Sequence, residues 1–378
     1  MSRFDRYMLS QLMMVFGFFA LVLVSVYWVN SAVRLFDRLI SDGQSVWVFL
    51  EMTALTLPNV IRLMLPVAAF VAVVHATNRM AGESELVVMQ ATGFSPFRLA
   101  RPVLYFGLIV ALLVSVLAHL LVPLARTRLN MRNDEISQNI SSKLLTEGTF
   151  IHPAEGITLY IRAISSTGEL ADMFLSDARQ TASTTIYTAS RAFLVKSGNT
   201  PKLVMFNGMA QSLQTEGQRL AITRFDSFTY DIGAMIAAQG RRYPSIEERS
   251  TTALLAPSEQ LLSETGATRA DALFEGHDRF ARPLLAIASV LIAFSALLTG
   301  SFSRFGLWRQ IALASGLFIL LFFLSNLADK TAAANENMVW IVYMPSLVGL
   351  GIAVALLIWS ARRRRAGPPE APAGGVPA

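Results

Sequence analysis

Six apolar runs, each long enough to cross a hydrocarbon layer, constrain this chain more than any motif in it. They fall at residues 11–32, 55–77, 99–122, 282–298, 307–327 and 339–360. At about 1.5 Å of rise per residue, about twenty residues traverse the roughly 30 Å apolar core of a bilayer, so each run reads as a membrane-spanning helix. The fourth is the shortest. Only 15% of the 378 residues are charged against 53% hydrophobic, a balance that belongs to integral membrane proteins. The first run is too long for a signal-peptide core and lacks a small-residue cleavage site, so it is kept as a span.

Positive charge in short loops stays in the cytoplasm, which gives an expected orientation. Arg3, Arg6, Arg79, Arg98, Arg101, Arg304, Arg309 and the run from Arg362 to Arg365 collect on one side, against Arg34, Arg38 and Lys330 on the other. Both termini are therefore expected in the cytoplasm. Arg126, Arg128, Arg132, Arg279 and Arg282 flank the large central loop and run against the bias, which long loops escape. The net charge of +6 does not point to nucleic acid, because the most compact basic cluster is juxtamembrane, where arginines meet anionic lipid. Beyond it, 366–378 is Pro, Gly and Ala apart from Glu370 and Val376 and too poor in apolar side chains to fold. With no cysteine in the chain, disulfide and thiol chemistry are excluded.

Between the third and fourth runs, alternation replaces helical periodicity. Segments 156–164, 169–176, 185–195, 202–207, 219–225 and 227–232 are rich in β-branched and aromatic residues and are separated by Ser-Thr-Gly, Ser-Gly-Asn and Thr-Glu-Gly-Gln turns, which predicts an antiparallel sheet or sandwich. An open two-layer jellyroll is expected, with Leu159, Ile161, Phe174, Phe193, Val204 and Phe206 inside; a plain sandwich with a sealed core is the alternative. Residues 253–264, with Ser258 as a cap, and 269–278 read as helices returning the chain to the bilayer. The expected layout is three spans (1–124), a β domain outside the membrane (125–276), three spans (277–361) and a basic, then disordered tail (362–378).

Between the second and third spans lies Arg79-Met80-Ala81-Gly82-Glu83-Ser84-Glu85-Leu86-Val87-Val88-Met89-Gln90-Ala91-Thr92-Gly93-Phe94-Ser95-Pro96. Ser84 is expected to cap a helix beginning at Glu85, Glu83 and Glu85 suit its positive end, and Gly93 closes it in the left-handed conformation. Ser95 caps the next helix, with Pro96 at its first position. A short helix so tightly joined to two spans is suited to push on them; a loop lying on the headgroups is the alternative.

The chain has no phosphate-binding loop, no nucleophile elbow and no metal-ligand spacing among His75, His119, His152 and His277, so neither an enzyme nor a metal or other cofactor is expected. Asp5, Asp37, Glu51 and Asp329 sit toward span ends, which leaves an ion-driven carrier without its usual carboxylates. On the first span, Tyr27, Asn30, Arg34 and Arg38 recur at steps of three and four and form one polar stripe. Arg62 lies on the second span, bracketed by Pro58 and Pro66. Guanidiniums bind phosphate through a planar fork, so this set would suit an anionic amphiphile; headgroup snorkelling, with Arg62 paired to Glu51, is the alternative.

The loop Ser84-Glu85-Leu86-Val87-Val88-Met89-Gln90-Ala91-Thr92-Gly93-Phe94, the opening Phe4-Asp5-Arg6-Tyr7 and the 3+3 layout around a β domain resemble the permease subunits of the bacterial lipopolysaccharide export transporter, the LptF/LptG family. The loop is closer to the G-type, whereas Thr146-Glu147-Gly148-Thr149-Phe150 and the end of the first span are closer to the F-type, toward which the resemblance leans. It implies a permease of an ATP-driven transporter in the bacterial inner membrane. That permease would extract lipopolysaccharide from the outer leaflet and pass it to a periplasmic jellyroll bridge. The implied partners are a related permease, a separate dimeric cytoplasmic ATPase and periplasmic jellyroll proteins of the LptC and LptA kind. Glu83, Glu85, Leu86, Met89 and Phe94 would meet the ATPase, and Arg34 matches a basic residue at the outer end of the first span. A secondary transporter and a membrane-anchored scaffold or sensor are the other function classes the sequence leaves open.

Overall fold

The computed structural model describes residues 2–41, 45–139, 147–154, 156–165, 168–180, 183–197, 200–214, 219–231, 244–300 and 307–365. A few side chains at the segment ends, that of Arg38 among them, lie outside this description, as do residues 301–306, with Arg304, and the tail from 366. The chain divides into two compact units, residues 1–129 with 244–378, and residues 130–243. Residues 244–276 therefore belong with the helices and not with the sheet, a narrower β unit than 125–276.

The helical unit contains α1 (Arg3–Ser41), α2 (Val46–Gly82), α3 (Glu85–Ala91) and α4 (Pro96–Val116), which runs through a π-helical turn (Leu117–Leu121) into α5 (Val122–Asn139). After the β unit come α6 (Thr251–Leu255), α7 (Glu259–Thr265), α8 (Arg269–Leu298), α9 (Trp308–Ala334), a 3-10 turn (Glu336–Tyr343) and α10 (Met344–Arg365). Among the described residues, six stretches are long and apolar enough to cross a membrane: Arg3–Phe36, Val46–Gly82, Pro96–Asn133, Arg269–Leu298, Trp308–Ala334 and Glu336–Arg362. They coincide with the six runs read from the sequence. The single helix expected over 253–264 is instead two, α6 and α7, because the backbone leaves helical geometry at Ala256 and Ser258 restarts it by accepting from the Leu261 N–H. The stretch 269–278 is not separate but the first turns of α8, opened by a reciprocal Thr268–Asp271 capping box.

Helix α8 is the most buried span and α1 the least. Ala286, Ala288, Ser289, Ala293, Ser295 and Ala296 line α8 and are all fully buried; small side chains let helices approach where lipid offers no hydrophobic drive. Gly107 of α4 takes Val290 into the place of its missing side chain, where a Cβ would lie 2.8 Å from the valine methyl, and Gly349 of α10 meets Leu321 and Ala288 at 2.9 and 3.0 Å in the same way.

Among the described residues the β unit is one antiparallel sheet of six strands in chain order: β1 (Phe150–Ala154), β2 (Ile157–Ile164), β3 (Glu169–Gln180), β4 (Ser183–Ser197), β5 (Thr200–Gln214) and β6 (Arg219–Asp231). β1 was not read from the sequence, and the two last expected strands are one. Among the described residues each strand pairs with its sequence neighbours, so the order is that of a meander.

A row of irregularities crosses the sheet. The ladder passes from Ile161↔Met173 to Ala163↔Ala171, from Met173↔Ala189 to Ala171↔Arg191, from Ala189↔Gly208 to Arg191↔Phe206 and from Gly208↔Phe225 to Phe206↔Ser227. Arg162, Asp172, Ser190, Asn207 and Asp226 are thus set aside at one rank of five strands; Asp172 and Asn207 have φ of 46 and 52°, and Arg162 forms an ion pair with Asp172. The register is the same on either side of each gap, so these are level one-residue breaks and not bulges, and five aligned ones crease a whole sheet. In a flat ladder Asp177 and Tyr230 would lie more than roughly 30 Å apart, three strands over and nine residues along. Their side chains are in fact hydrogen-bonded at 2.7 Å. Tyr187 likewise stacks on Phe228 at 5.3 Å between ring centroids. The sheet is folded along the crease into two facing layers.

The layers enclose Ile161, Leu170, Met173, Leu175, Leu203 and Met205, each 2% exposed or less. Leu159 and Ile161 are inside as expected. Phe174, Phe193, Val204 and Phe206 are not; they lie on the other face, where Phe193 meets Phe206 and Phe174 meets Phe150. The reason is the crease: each skipped residue shifts the in–out alternation by one, so inward positions run 189 then 192 on β4 rather than in steps of two.

Candidate functional site

Helix α3 is the most constrained feature of the helical unit. Glu83 closes α2 by donating its N–H to Arg79 O at 2.9 Å, and only Ser84 then stands before α3. With so little chain to reverse direction, Ser84 adopts φ 62° and makes no side-chain cap, contrary to the expected Ser84 N-cap. The helix nevertheless starts at Glu85. Gly93 is left-handed at φ 88°, and Ser95 accepts from the Arg98 N–H with Pro96 at the first position of α4, both as expected.

The two faces of α3 differ. Leu86 is buried in the main helical core, with Met89 and Phe94 packed against it; Phe94 also meets Phe4 of α1 edge-on at 5.8 Å and carries the Arg98 guanidinium over its ring. Of the five sequence-predicted residues, Leu86, Met89 and Phe94 thus tie α3 to the spans. Glu83 bonds Arg79 at 3.0 Å, and Glu85 accepts from the Tyr7 hydroxyl of α1 at 3.1 Å. The outward face carries Val87 and Val88, 39 and 58% exposed, which sequence reasoning did not single out. Adjacent β-branched residues on a seven-residue helix were the available signal, because helix spacing puts 86 and 89 on one side and 87 and 88 off it.

Toward the other end of α1, Tyr27, Asn30 and Arg34 are all exposed, and Arg34 reaches Ser31 Oγ at 3.3 Å. Arg38 falls outside the described side chains. Trp28 turns inward and donates to Thr53 O on α2. Arg62, half-buried, donates to Asn59 Oδ1 at 3.1 Å on its own helix; it is not brought into the α1 stripe by any described bond.

A second polar centre was not anticipated. Arg279 of α8, 1% exposed, donates to Glu275 at 3.1 Å, to the carbonyls of Arg249 and Glu247 at 2.9 and 3.1 Å, and to Thr251 Oγ1 at 3.1 Å. His119, on the π-turn of the third span, also reaches Thr251 at 2.9 Å, and Arg126 pairs with Glu247 at 2.7 Å. The chain's exit at 129 and its return at 244 are therefore pinned to each other through residues 247–251. One turn along, Arg282 bridges Asp278 and Asp329 at 2.9 and 3.0 Å, joining α8 to α9.

In the β unit, Asp177, Arg179 and Tyr230 form a closed triangle. Arg179 grips both oxygens of Asp177 at 2.9 and 2.7 Å, and Tyr230 donates to Asp177 at 2.7 Å while accepting from Arg179 at 3.1 Å. The Arg179 fork, reinforced by the phenol, holds the Asp177 carboxyl down at about 2. Burial and the adjoining carboxylate push the Tyr230 phenol well above its usual range. On the crease itself opens a cleft of about 660 Å³ whose walls include Tyr160, Phe174, Arg224 and Asp226.

A family profile described as lipopolysaccharide export system permease LptF/LptG matches residues 6–359. The chain belongs to the LptF/LptG family. It is similar to the uncharacterized protein RP871 of Rickettsia prowazekii (strain Madrid E), 24% identical over 366 residues that cover 95% of this chain and 99% of that one. It is also similar to the lipopolysaccharide export system permease protein LptG of Haemophilus influenzae, 21% identical over 181 residues, 45% of this chain and 48% of that protein. Membership in the LptF/LptG family makes this a multi-pass membrane permease for lipopolysaccharide export and places it in a non-catalytic family.

Proposed function

We propose that this LptF/LptG-family permease works as one half of an ATP-driven exporter, taking lipopolysaccharide from the outer leaflet of the bacterial inner membrane and passing it to a periplasmic β-jellyroll bridge. ATP is hydrolysed on a separate dimeric ATPase of the LptB kind, and a related permease completes the membrane pair. The observation that carries this reading is α3: a helix whose inner face is welded to α1, α2 and α4 and whose outer face presents Val87 and Val88 beside Glu83. A push on such a helix moves the spans as well. Both termini then lie in the cytoplasm and residues 130–243 in the periplasm, consistent with the arginine distribution. An F-type subunit remains our assignment over a G-type.

The exposed stripe of Tyr27, Asn30 and Arg34 supplies the lipid's anion contact in this reading. A charge-assisted hydrogen bond contributes about 1.5–3 kcal/mol, so Arg34→Ala weakens lipid binding by roughly ten- to a hundredfold. An ion-driven carrier is disfavoured because Asp278 and Asp329, the carboxylates that α8 and α9 bring together, are both held by Arg282. That is the arrangement of a fixed bridge.

Affinity purification from native membranes tests the reading: a soluble ATPase, a second permease and bound lipopolysaccharide should copurify. Glu85→Arg or Val88→Asp should leave insertion and pairing with the second permease intact while ATPase is lost. Tyr7→Phe, which removes only the intramolecular bond to Glu85, should retain it. Full ATPase recovery with both α3 variants would overturn the assignment.

A further inference from the structure

Among the described residues, a polar triangle joins the two layers of the folded sheet near their rims, away from the crease. Asp177 and Arg179 sit near the C-terminal end of β3 and Tyr230 is the last residue but one of β6. These strands are separated in the sheet by β4 and β5, so the triangle ties rim to rim and is no part of any ladder. Behind it the interior is filled by side chains such as Met173, Leu203 and Met205, and an occupant has to displace them by parting the layers. The crease supplies a hinge line for that movement, since its five set-aside residues leave the inter-strand ladder interrupted at one rank.

We propose that Asp177, Arg179 and Tyr230 form a latch on the mouth of the folded sheet, and that its opening admits an acyl chain between the layers. The acyl-chain occupant rests on the lipopolysaccharide reading above; the latch rests on the geometry alone. Three properties suit these groups to the task. The contact is polar at the edge of an otherwise apolar interior, so it fixes one closed arrangement without adding apolar area to be exposed on opening. Arg179 is 42% exposed, so water is at hand to take over its hydrogen bonds when the rims part. Met173 and Met205, unbranched and flexible, line the space behind and repack readily around a chain.

The natural chain has no cysteine, so introduced thiols report alone. With Ala192→Cys, at a position 0% exposed inside the layers, thiol alkylation of the full-length protein in native membranes measures opening. Adding Tyr230→Phe should raise the labelling rate about tenfold, the factor that one lost hydrogen bond to a charged group corresponds to. An unchanged rate overturns the latch. Should Tyr230→Phe fail to fold, Asp177→Cys with Tyr230→Cys, bridged by a short bis-methanethiosulfonate that reductant cleaves, carries the test. A photoreactive phenylalanine replacing Tyr187, which packs on the interior, should capture lipopolysaccharide when the bridge is cleaved and lose it when the bridge is closed. Equal capture in both states overturns the latch. No capture in any state, with the alkylation rates as expected, overturns the acyl-chain occupant but neither the latch nor the transport reading, which the copurification above tests separately.

Discussion

Single residues in this molecule are constrained by backbone as often as by chemistry. Gly93 and Gly208 make the contrast. Gly93 has open space where a Cβ would be but a φ of 88°, whereas a Cβ on Gly208 would stand 2.3 Å from the Thr188 carbonyl oxygen and 2.5 Å from the Phe225 ring. Gly93→Ala should therefore cost about 1–2 kcal/mol, the price of a left-handed alanine. Gly208→Ala must displace a neighbouring strand and should cost more, about 3 kcal/mol. Thermal unfolding of the two variants in detergent, read by protease susceptibility of each unit, gives the ranking; a milder effect at Gly208 than at Gly93 would contradict it. Ser84 belongs to the same class. Its sequence signal, a serine before Glu-Leu, is that of a cap, but only two residues separate the helices, and chain reversal over so short a distance decided its conformation.

Among the elements, the spans and most strands were legible because their signals are redundant: about twenty apolar residues or a clear alternation survive an error at any one position. The crease was not legible. It depends on five residues of ordinary loop or surface type, Arg162, Asp172, Ser190, Asn207 and Asp226, being level with one another, and level is a property of pairing that no strand carries by itself. Strict alternation drawn through Ser190 and Asn207 consequently put Phe193 and Phe206 indoors. The latch too needed the fold, since Asp177 and Tyr230 are 53 residues apart. Its electrostatics predict an acid response. Asp177 is held at about 2 against a usual 3.8, so its stabilisation is complete above about pH 4 and fades as the pH falls toward 2. The loss amounts to at most about 2 kcal/mol, less where solvent screens the exposed Arg179. The difference in thermal midpoint between the natural chain and Asp177→Asn should accordingly shrink between pH 4 and pH 2; a difference that persists at pH 2 would show that the carboxylate's charge is not what holds the rims.

For the molecule as a whole, the buried Arg279 centre matters most, because it joins what the sequence separates. Arg279→Met removes the cation that compensates Glu275 and strands two carbonyls, which should cost about 3–5 kcal/mol. Arg279→Lys keeps the charge but lacks the fork that reaches Glu247, Arg249 and Thr251 together, and should be intermediate. Cleavage by protease within 244–251 reports both, and natural resistance in Arg279→Lys would reduce the centre to simple charge neutralisation. The same centre also sets a clock. His119 and Arg126 are made long before Glu247, Thr251 and Arg279, the last of which lies 153 residues after Arg126. At about 5–20 residues per second, a nascent chain spends roughly eight to thirty seconds with its third span in place and no counterpart for it. Through that interval two polar side chains at the edge of the bilayer must be held by water, headgroups or a chaperone, and the strands must be completed before the fourth span arrives to close the joint.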